Sequence, residues 1–167
     1  MKNYIVVTGG AGFIGSNLID YFISNTNKKI LSIDNYSCGF KKNHILSKRI
    51  KYIKADTKNI NKVLSKYKNQ INSLFHFGEF SRIFQSFNKF DECFQSNSIG
   101  TQATFKFCLD NKIKLIYSAT SASLGRNGKD KELSPYAFTK SKNLELLNNL
   151  KKWFNFKFEI IYFYNVY

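Results

Sequence analysis

The sequence predicts an α/β domain: a doubly wound parallel sheet with strands in the order 3-2-1-4-5-6 and helices on both faces. Three observations lead there. Strand-like apolar runs alternate with helix-like patterns from the first residues onward, and parallel strands need such crossovers. A glycine-rich turn, Thr8-Gly9-Gly10-Ala11-Gly12-Phe13-Ile14-Gly15, joins the first strand to the first helix. The second strand ends on Asp34, about 20 residues beyond that turn.

The elements follow in order. Residues 4–8 are an apolar strand, and residues 13–24 carry Phe13, Ile14, Leu18, Ile19 and Phe22 at helical spacing. Residues 29–34 form the second strand, through Ile30, Leu31 and Ile33. Residues 36–48 read as a loop with one short helix, and residues 50–55 as the third strand. Ile60, Val63, Leu64 and Tyr67 predict a helix over residues 59–68. Residues 73–77 are the fourth strand. Two helices are expected between 81 and 111, the second starting near Asn97. Residues 114–118 are the fifth strand, and residues 124–133 a polar loop. Ser134 can cap the next helix and Pro135 suits its first turn. That helix runs to about residue 153, with Leu144, Leu147 and Leu150 facing inward. Residues 156–163 are the sixth strand. With no repeat, no low-complexity tract and no linker, the chain reads as one domain.

Composition bounds the function. Apolar residues make up 43% of the chain and aromatic residues 17%, enough for a core. No apolar run reaches the ~20 residues of a membrane span, and the start lacks a signal-peptide layout, so a cytoplasmic protein is expected. Cys38, Cys93 and Cys108 are far apart and, with His44 and His76, give no metal-ligand spacing. The net charge is +15, but it comes mostly from dispersed lysines; the arginines are Arg49, Arg82 and Arg126. Without an ordered basic stripe, the charge reads first as a solvated surface, with nucleic-acid binding a minor alternative.

The glycine turn suggests its ligand. Gly9, Gly12 and Gly15 leave the backbone bare where a strand meets a helix start. Free N–H groups and the positive helix end then favour a pyrophosphate. Asp34 stands where a carboxylate accepts hydrogen bonds from adenosine ribose hydroxyls and repels a 2′-phosphate, which favours NAD over NADP. Asp56, in Ala55-Asp56-Thr57, ends the third strand in the same way; it can meet an adenine amino group or simply cap a turn.

Tyr136 and Lys140 point to the reaction class. Their spacing of four puts both on one face of a helix. A free tyrosine has a pKa near 10, and a neighbouring ammonium and the helix N-terminus both favour the phenolate. A lowered Tyr136 pKa is therefore expected. At the end of the fifth strand, Ser118-Ala119-Thr120-Ser121-Ala122-Ser123 offers hydroxyls that can hold a substrate oxygen and relay its proton.

With these residues in hand, the chain resembles the extended short-chain dehydrogenase/reductases, and among them the nucleotide-sugar epimerases typified by UDP-glucose 4-epimerase. The matching stretches are TGGAGFIG (8–15), DNYSCG (34–39), AD (55–56), LFHFG (74–78), NSIGT (97–101), SATSASLG (118–125), SPYAFTKSK (134–142) and YFYNVY (162–167). They stand in family order across essentially the whole chain. The resemblance implies a Rossmann fold, an NAD cofactor and a nucleotide-sugar substrate. It makes Tyr136 the catalytic base, Lys140 its partner and holder of the nicotinamide ribose, and Thr120 the catalytic hydroxyl. Gly9, Gly12, Phe13, Ile14, Gly15, Asp34, Asn35, Asp56, Thr57, Phe77, Gly78 and Asn97 would line the NAD site, and Asn165 would contact the sugar-nucleotide phosphates. The implied chemistry is transient oxidation of a sugar carbon, turnover of the keto-sugar and return of hydride to its other face.

The resemblance has departures. Glu79 and Phe80 follow His76-Phe77-Gly78 where the family carries small residues or Gly-Leu-Lys. Ser81 then takes the place of a lysine, and Arg82 either meets a phosphate or stays a surface charge. Leu124 replaces a tyrosine. Ser121-Ala122 stand where sugar 4,6-dehydratases carry Asp-Glu, which argues against elimination. His76 reads as structural. Family members are longer, so residues 1–167 are expected to be the NAD-binding domain without its C-terminal substrate domain. That leaves a non-catalytic NAD-binding module, or one half of a two-chain enzyme, as alternatives to an epimerase. The family pairs subunits through the stretches 81–111 and 135–153, which implies a homodimer.

Overall fold

Residues 2–123, 129–130, 133–164 and 166 are described by the structure, a computed structural model. Six strands form one parallel sheet: β1 (Tyr4–Thr8), β2 (Lys29–Asp34), β3 (Ile50–Lys54), β4 (Ile71–His76), β5 (Lys114–Thr120) and β6 (Phe158–Phe163). Their order is β3-β2-β1-β4-β5-β6, as the alternation predicts. The order reverses between β2 and β4 on either side of β1, and this opens a crevice at the carboxyl strand ends.

Alternation along β1 divides the core. Ile5 and Val7 face helix α1 (Phe13–Asn25) with Ile19 and Ile30. Val6 faces the other side, with Leu31, Ile33, Leu74, Phe105, Leu115 and Tyr117. That second layer is covered by α2 (Ile60–Leu64), α5 (Thr101–Asp110) and α6 (Pro135–Phe154). Full burial of an Ile, Leu or Phe side chain contributes about 1.5–3 kcal/mol, so both layers hold the sheet.

Several boundaries differ from expectation. The helix expected over 59–68 is α-helical only over Ile60–Leu64, between 3₁₀ turns at Thr57–Asn59 and Ser65–Gln70. Asp56 caps the first of those turns by accepting from Lys58 N at 3.0 Å. The stretch after β4 breaks at Lys89, between α3 (Gln85–Asn88) and α4 (Phe90–Phe94), and not near Asn97. From α4 the backbone runs through a π turn, Gln95–Gly100, straight into α5. Asn97 does not start a helix because it lies inside that unbroken run, and its side-chain amide bonds to the backbone of Phe80. Ser134 does cap α6, accepting from Ala137 N at 3.0 Å. Asn155, at φ 52°, ends that helix, so β6 begins at Phe158. Among the described residues, no helix is long and apolar enough to cross a membrane.

Candidate active site

A cavity of about 640 Å³ lies along the carboxyl ends of the strands. One end is built from backbone. Gly9 has φ +72°, and a Cβ there would stand 2.7 Å from the Phe77 carbonyl group. A Cβ on Gly15 would run into the Gly9 carbonyl oxygen, so strand end and helix start touch because both residues are bare. Gly12 is the N-cap of α1 and brings no side-chain cap, which leaves the first amides of a 13-residue helix open toward the cleft. Gly9, Gly12, Phe13, Ile14 and Gly15 all line the cavity.

Asp34 closes this end. Its Oδ2 accepts from Ala11 N at 2.9 Å and its Oδ1 from Tyr36 N at 2.7 Å. A carboxylate has about four lone-pair sites, so it can still accept from a ligand hydroxyl. Asn35, Thr57, Phe77 and Gly78 also line the cavity. Asp56 does not: it caps the turn below and meets Asn35 Nδ2 at 3.4 Å. Asn97 is fully buried behind the wall, bonded to Phe80 N at 2.7 Å, Phe80 O at 3.0 Å and Thr139 Oγ1 at 3.3 Å. It positions the Phe80 loop, which is itself a wall of the cavity. Asn165 and Leu124 lie outside the described residues. Arg82 is exposed on the cavity rim.

The other end is built from side chains. Thr120, Tyr136 and Lys140 line the cavity together, and Thr120 shares a side-chain hydrogen bond with Tyr136. The Lys140 ammonium donates to the Ser118 carbonyl oxygen and lies 4.6 Å from the Tyr117 ring centroid. It also forms an ion pair of 2.5 Å with Glu79 Oε2, and the two side chains are 4% and 3% exposed. Glu79 Oε1 is held by Thr101 Oγ1 at 3.0 Å, Tyr117 OH at 3.1 Å and Asn143 Nδ2 at 3.2 Å.

The hydrogen bonds behind Glu79 have a direction. Thr8 Oγ1 accepts from Phe77 N and Gly78 N, so its own proton goes to His76 Nδ1, 2.7 Å away. His76 then carries its hydrogen on Nε2 and donates to Thr101 Oγ1 at 2.9 Å. Thr101 in turn donates to Glu79. Complete burial lowers the His76 pKa to about 4, which keeps this ring neutral and fits the structural role expected for it.

The expected lowering of the Tyr136 pKa is not found. Burial raises it above the ordinary tyrosine value, and the Glu79 carboxylate raises it further; the Thr120 hydrogen bond works the other way. The reading from sequence counted the Lys140 ammonium and missed its buried counter-charge. Glu79 was visible only as a charge in a strand exit where a small residue is usual.

The residues present fit a dinucleotide. The glycine cradle has room only for bare backbone, the open helix start faces it, and the Asp34 carboxylate lines the same end of the cavity. Among the described residues, no group of three or more His, Cys, Asp or Glu side chains gathers to hold a metal ion.

Comparison with known proteins agrees with this layout. The profile of the NAD dependent epimerase/dehydratase family matches residues 5–167. The chain is 34% identical over 161 residues to an ADP-L-glycero-D-manno-heptose-6-epimerase of Brachyspira hyodysenteriae, covering 89% of this chain and 49% of that protein. It superposes with a TM-score of 0.86 and 29% identity on a UDP-N-acetylglucosamine 4-epimerase of Methanobrevibacter ruminantium M1 in complex with UDP-N-acetylmuramic acid, covering 100% of this chain and 56% of that one. A UDP-glucose 4-epimerase of Thermotoga maritima with UDP-glucose gives 0.86 and 25%, over 98% and 56%. The chain thus spans about half the length of the relatives it matches.

Proposed function

Because this chain belongs to the NAD dependent epimerase/dehydratase family, we propose that it is the cofactor-binding and catalytic half of an NAD-dependent nucleotide-sugar epimerase. The observation that carries this reading is the joint presence, on one cavity, of the glycine cradle with Asp34 at one end and of Thr120, Tyr136 and Lys140 at the other. Gly9, Gly12 and Gly15 with the α1 amides would hold the pyrophosphate, and Asp34 the adenosine ribose. Bound NAD supplies a hydride acceptor and donor. Tyr136 would take the proton from the sugar hydroxyl and give it back, with Thr120 holding the same oxygen. The raised Tyr136 pKa means that its basic form is gained on the alkaline side, so turnover should rise with pH.

The nucleotide sugar is proposed from the relatives solved with UDP-glucose and with UDP-N-acetylmuramic acid. An outward aromatic surface supports a proposed homodimer. Phe84, Phe87 and Phe90 are exposed, and Phe94 stacks on both Phe90 and Phe138 at 4.4 and 6.2 Å. The span of about half a relative keeps a second reading in view, an NAD-binding module without turnover.

The test is Tyr136→Phe. Purified protein is incubated with UDP-glucose and with UDP-N-acetylglucosamine, and epimers are read by NMR. We expect turnover in the wild type to fall at least about 100-fold in the variant, with NAD binding kept. NAD binding without turnover in the wild type would favour the module, and full activity in the variant would overturn the epimerase reading.

A further inference from the structure

The departure at position 79 leads further than the resemblance. An acidic side chain in a strand exit is ordinarily solvated, yet this one is buried beneath the cleft against the lysine of the Tyr136 helix. Its carboxylate is fully engaged, with the Lys140 ammonium on Oε2 and the hydroxyls of Thr101 and Tyr117 on Oε1. The directed chain from Thr8 through His76 leaves the Thr101 proton aimed at Glu79, and Tyr117, which accepts from Asn143 Nδ2, donates to the same carboxylate. Lys140 also donates to the Ser118 carbonyl oxygen. The ammonium is therefore fixed by two partners, and neither is Tyr136.

We propose that Glu79 is a positioning residue that acts on Tyr136 through Lys140: it fixes the ammonium against the Ser118 carbonyl oxygen and balances its charge on the wall of the cavity that Tyr136 also lines. This rests on the reading of Tyr136 as the proton-transfer group. The physics is one of net charge. A lone buried ammonium beside a phenol draws out its proton, whereas an ion pair 2.5 Å long presents only a dipole, whose field falls off faster with distance. The other titratable groups around Tyr136 are Cys93 on α4, His76 on β4 and Tyr117 on β5; the first two are buried and neutral, and Tyr117 is held above the ordinary tyrosine range by burial. Arg82, on the cavity rim, is exposed. None of these replaces Glu79 as a negative charge. Burial is the main cause of the upward shift of Tyr136 and the Glu79 carboxylate adds to it; the proposal assigns a role to a residue with no counterpart in the sequence motifs.

The test is a titration of Tyr136 in the purified chain, followed by NMR with ¹³Cζ-labelled tyrosine and assigned by the signal lost in Tyr136→Phe. In Glu79→Gln the midpoint should fall by about one pH unit relative to the wild type. In Lys140→Met, where the carboxylate is left unbalanced, it should rise. An unchanged midpoint in both would overturn the proposal. If either single variant fails to fold, Glu79→Gln with Lys140→Met removes both charges at once. Its midpoint should stay within about 0.3 unit of the wild type, and a displacement of about one unit in either direction would overturn the balance of charge. The titration needs neither NAD nor a sugar. Failure to bind or turn over those ligands overturns the proposed function and leaves this result readable, and an insensitive Tyr136 overturns this proposal and leaves NAD binding untouched.

Discussion

At one end of the cleft, Gly9, Gly12 and Gly15 make a surface by leaving side chains out. At the other, Glu79, Lys140, Tyr117, Thr101 and His76 make one by burying polar side chains against each other. The first end is local: the turn, the helix start and Asp34 lie within one strand–helix–strand unit. Its tolerance is steric, and a single methyl group breaks it. The second end joins β4, β5, α5 and α6, and its tolerance is electrostatic. A change there depends on which charges remain unpaired. The two ends should therefore fail in different ways.

The largest effect is expected at the glycine end. Gly9→Val adds a branched side chain at φ +72°, with its Cβ about 2.7 Å from the Phe77 carbonyl group. The loss should exceed about 4 kcal/mol by urea denaturation, with no compensating second change available. A soluble, normally stable Gly9→Val chain would break the steric half of the comparison.

The next effect separates the two modes. Glu79→Ala strands a buried ammonium and should cost about 3–5 kcal/mol. Unlike the glycine change it should be largely repaired by a second one: Glu79→Leu with Lys140→Met removes both charges and should recover most of the loss. If the double variant is as unstable as the single one, the site is steric at this end too.

The third effect is a pH dependence that only the polar end should show. His76 has a folded pKa of about 4 against an unfolded value near 6.5, so the unfolded chain binds more protons between them. Its contribution is fully present above about pH 6.5 and is lost as pH falls toward 4. The loss should reach about 3 kcal/mol, read as the urea midpoint at successive pH values. His76→Gln, which carries no titrating ring, should flatten that part of the profile. A wild-type profile flat over this window would contradict the neutral, buried ring.

The same contrast explains what was legible in the sequence. All six strands, the order of the sheet and the capped α6 follow from apolar runs, crossovers and Ser134-Pro135, which are local signals. The glycine turn and Asp34, which line one end of the cavity, are visible in the sequence for that reason. Tyr136 and Lys140 are found by their spacing on one helix. The state of Tyr136 is not, because the residues that hold Glu79 lie 22, 38, 61 and 64 positions away from it. Asn97 escaped in a similar way: its amide is used 17 and 42 positions away, on the Phe80 backbone and on Thr139. A lone Glu in a strand exit announces that something must compensate it, and only the fold says what.

Calorimetric titration of the purified chain with NAD and with NADP tests the central claim most directly. The account predicts that NAD binds and that NADP binds at least about tenfold more weakly, because Asp34 meets its 2′-phosphate. A folded chain that binds neither dinucleotide would contradict it.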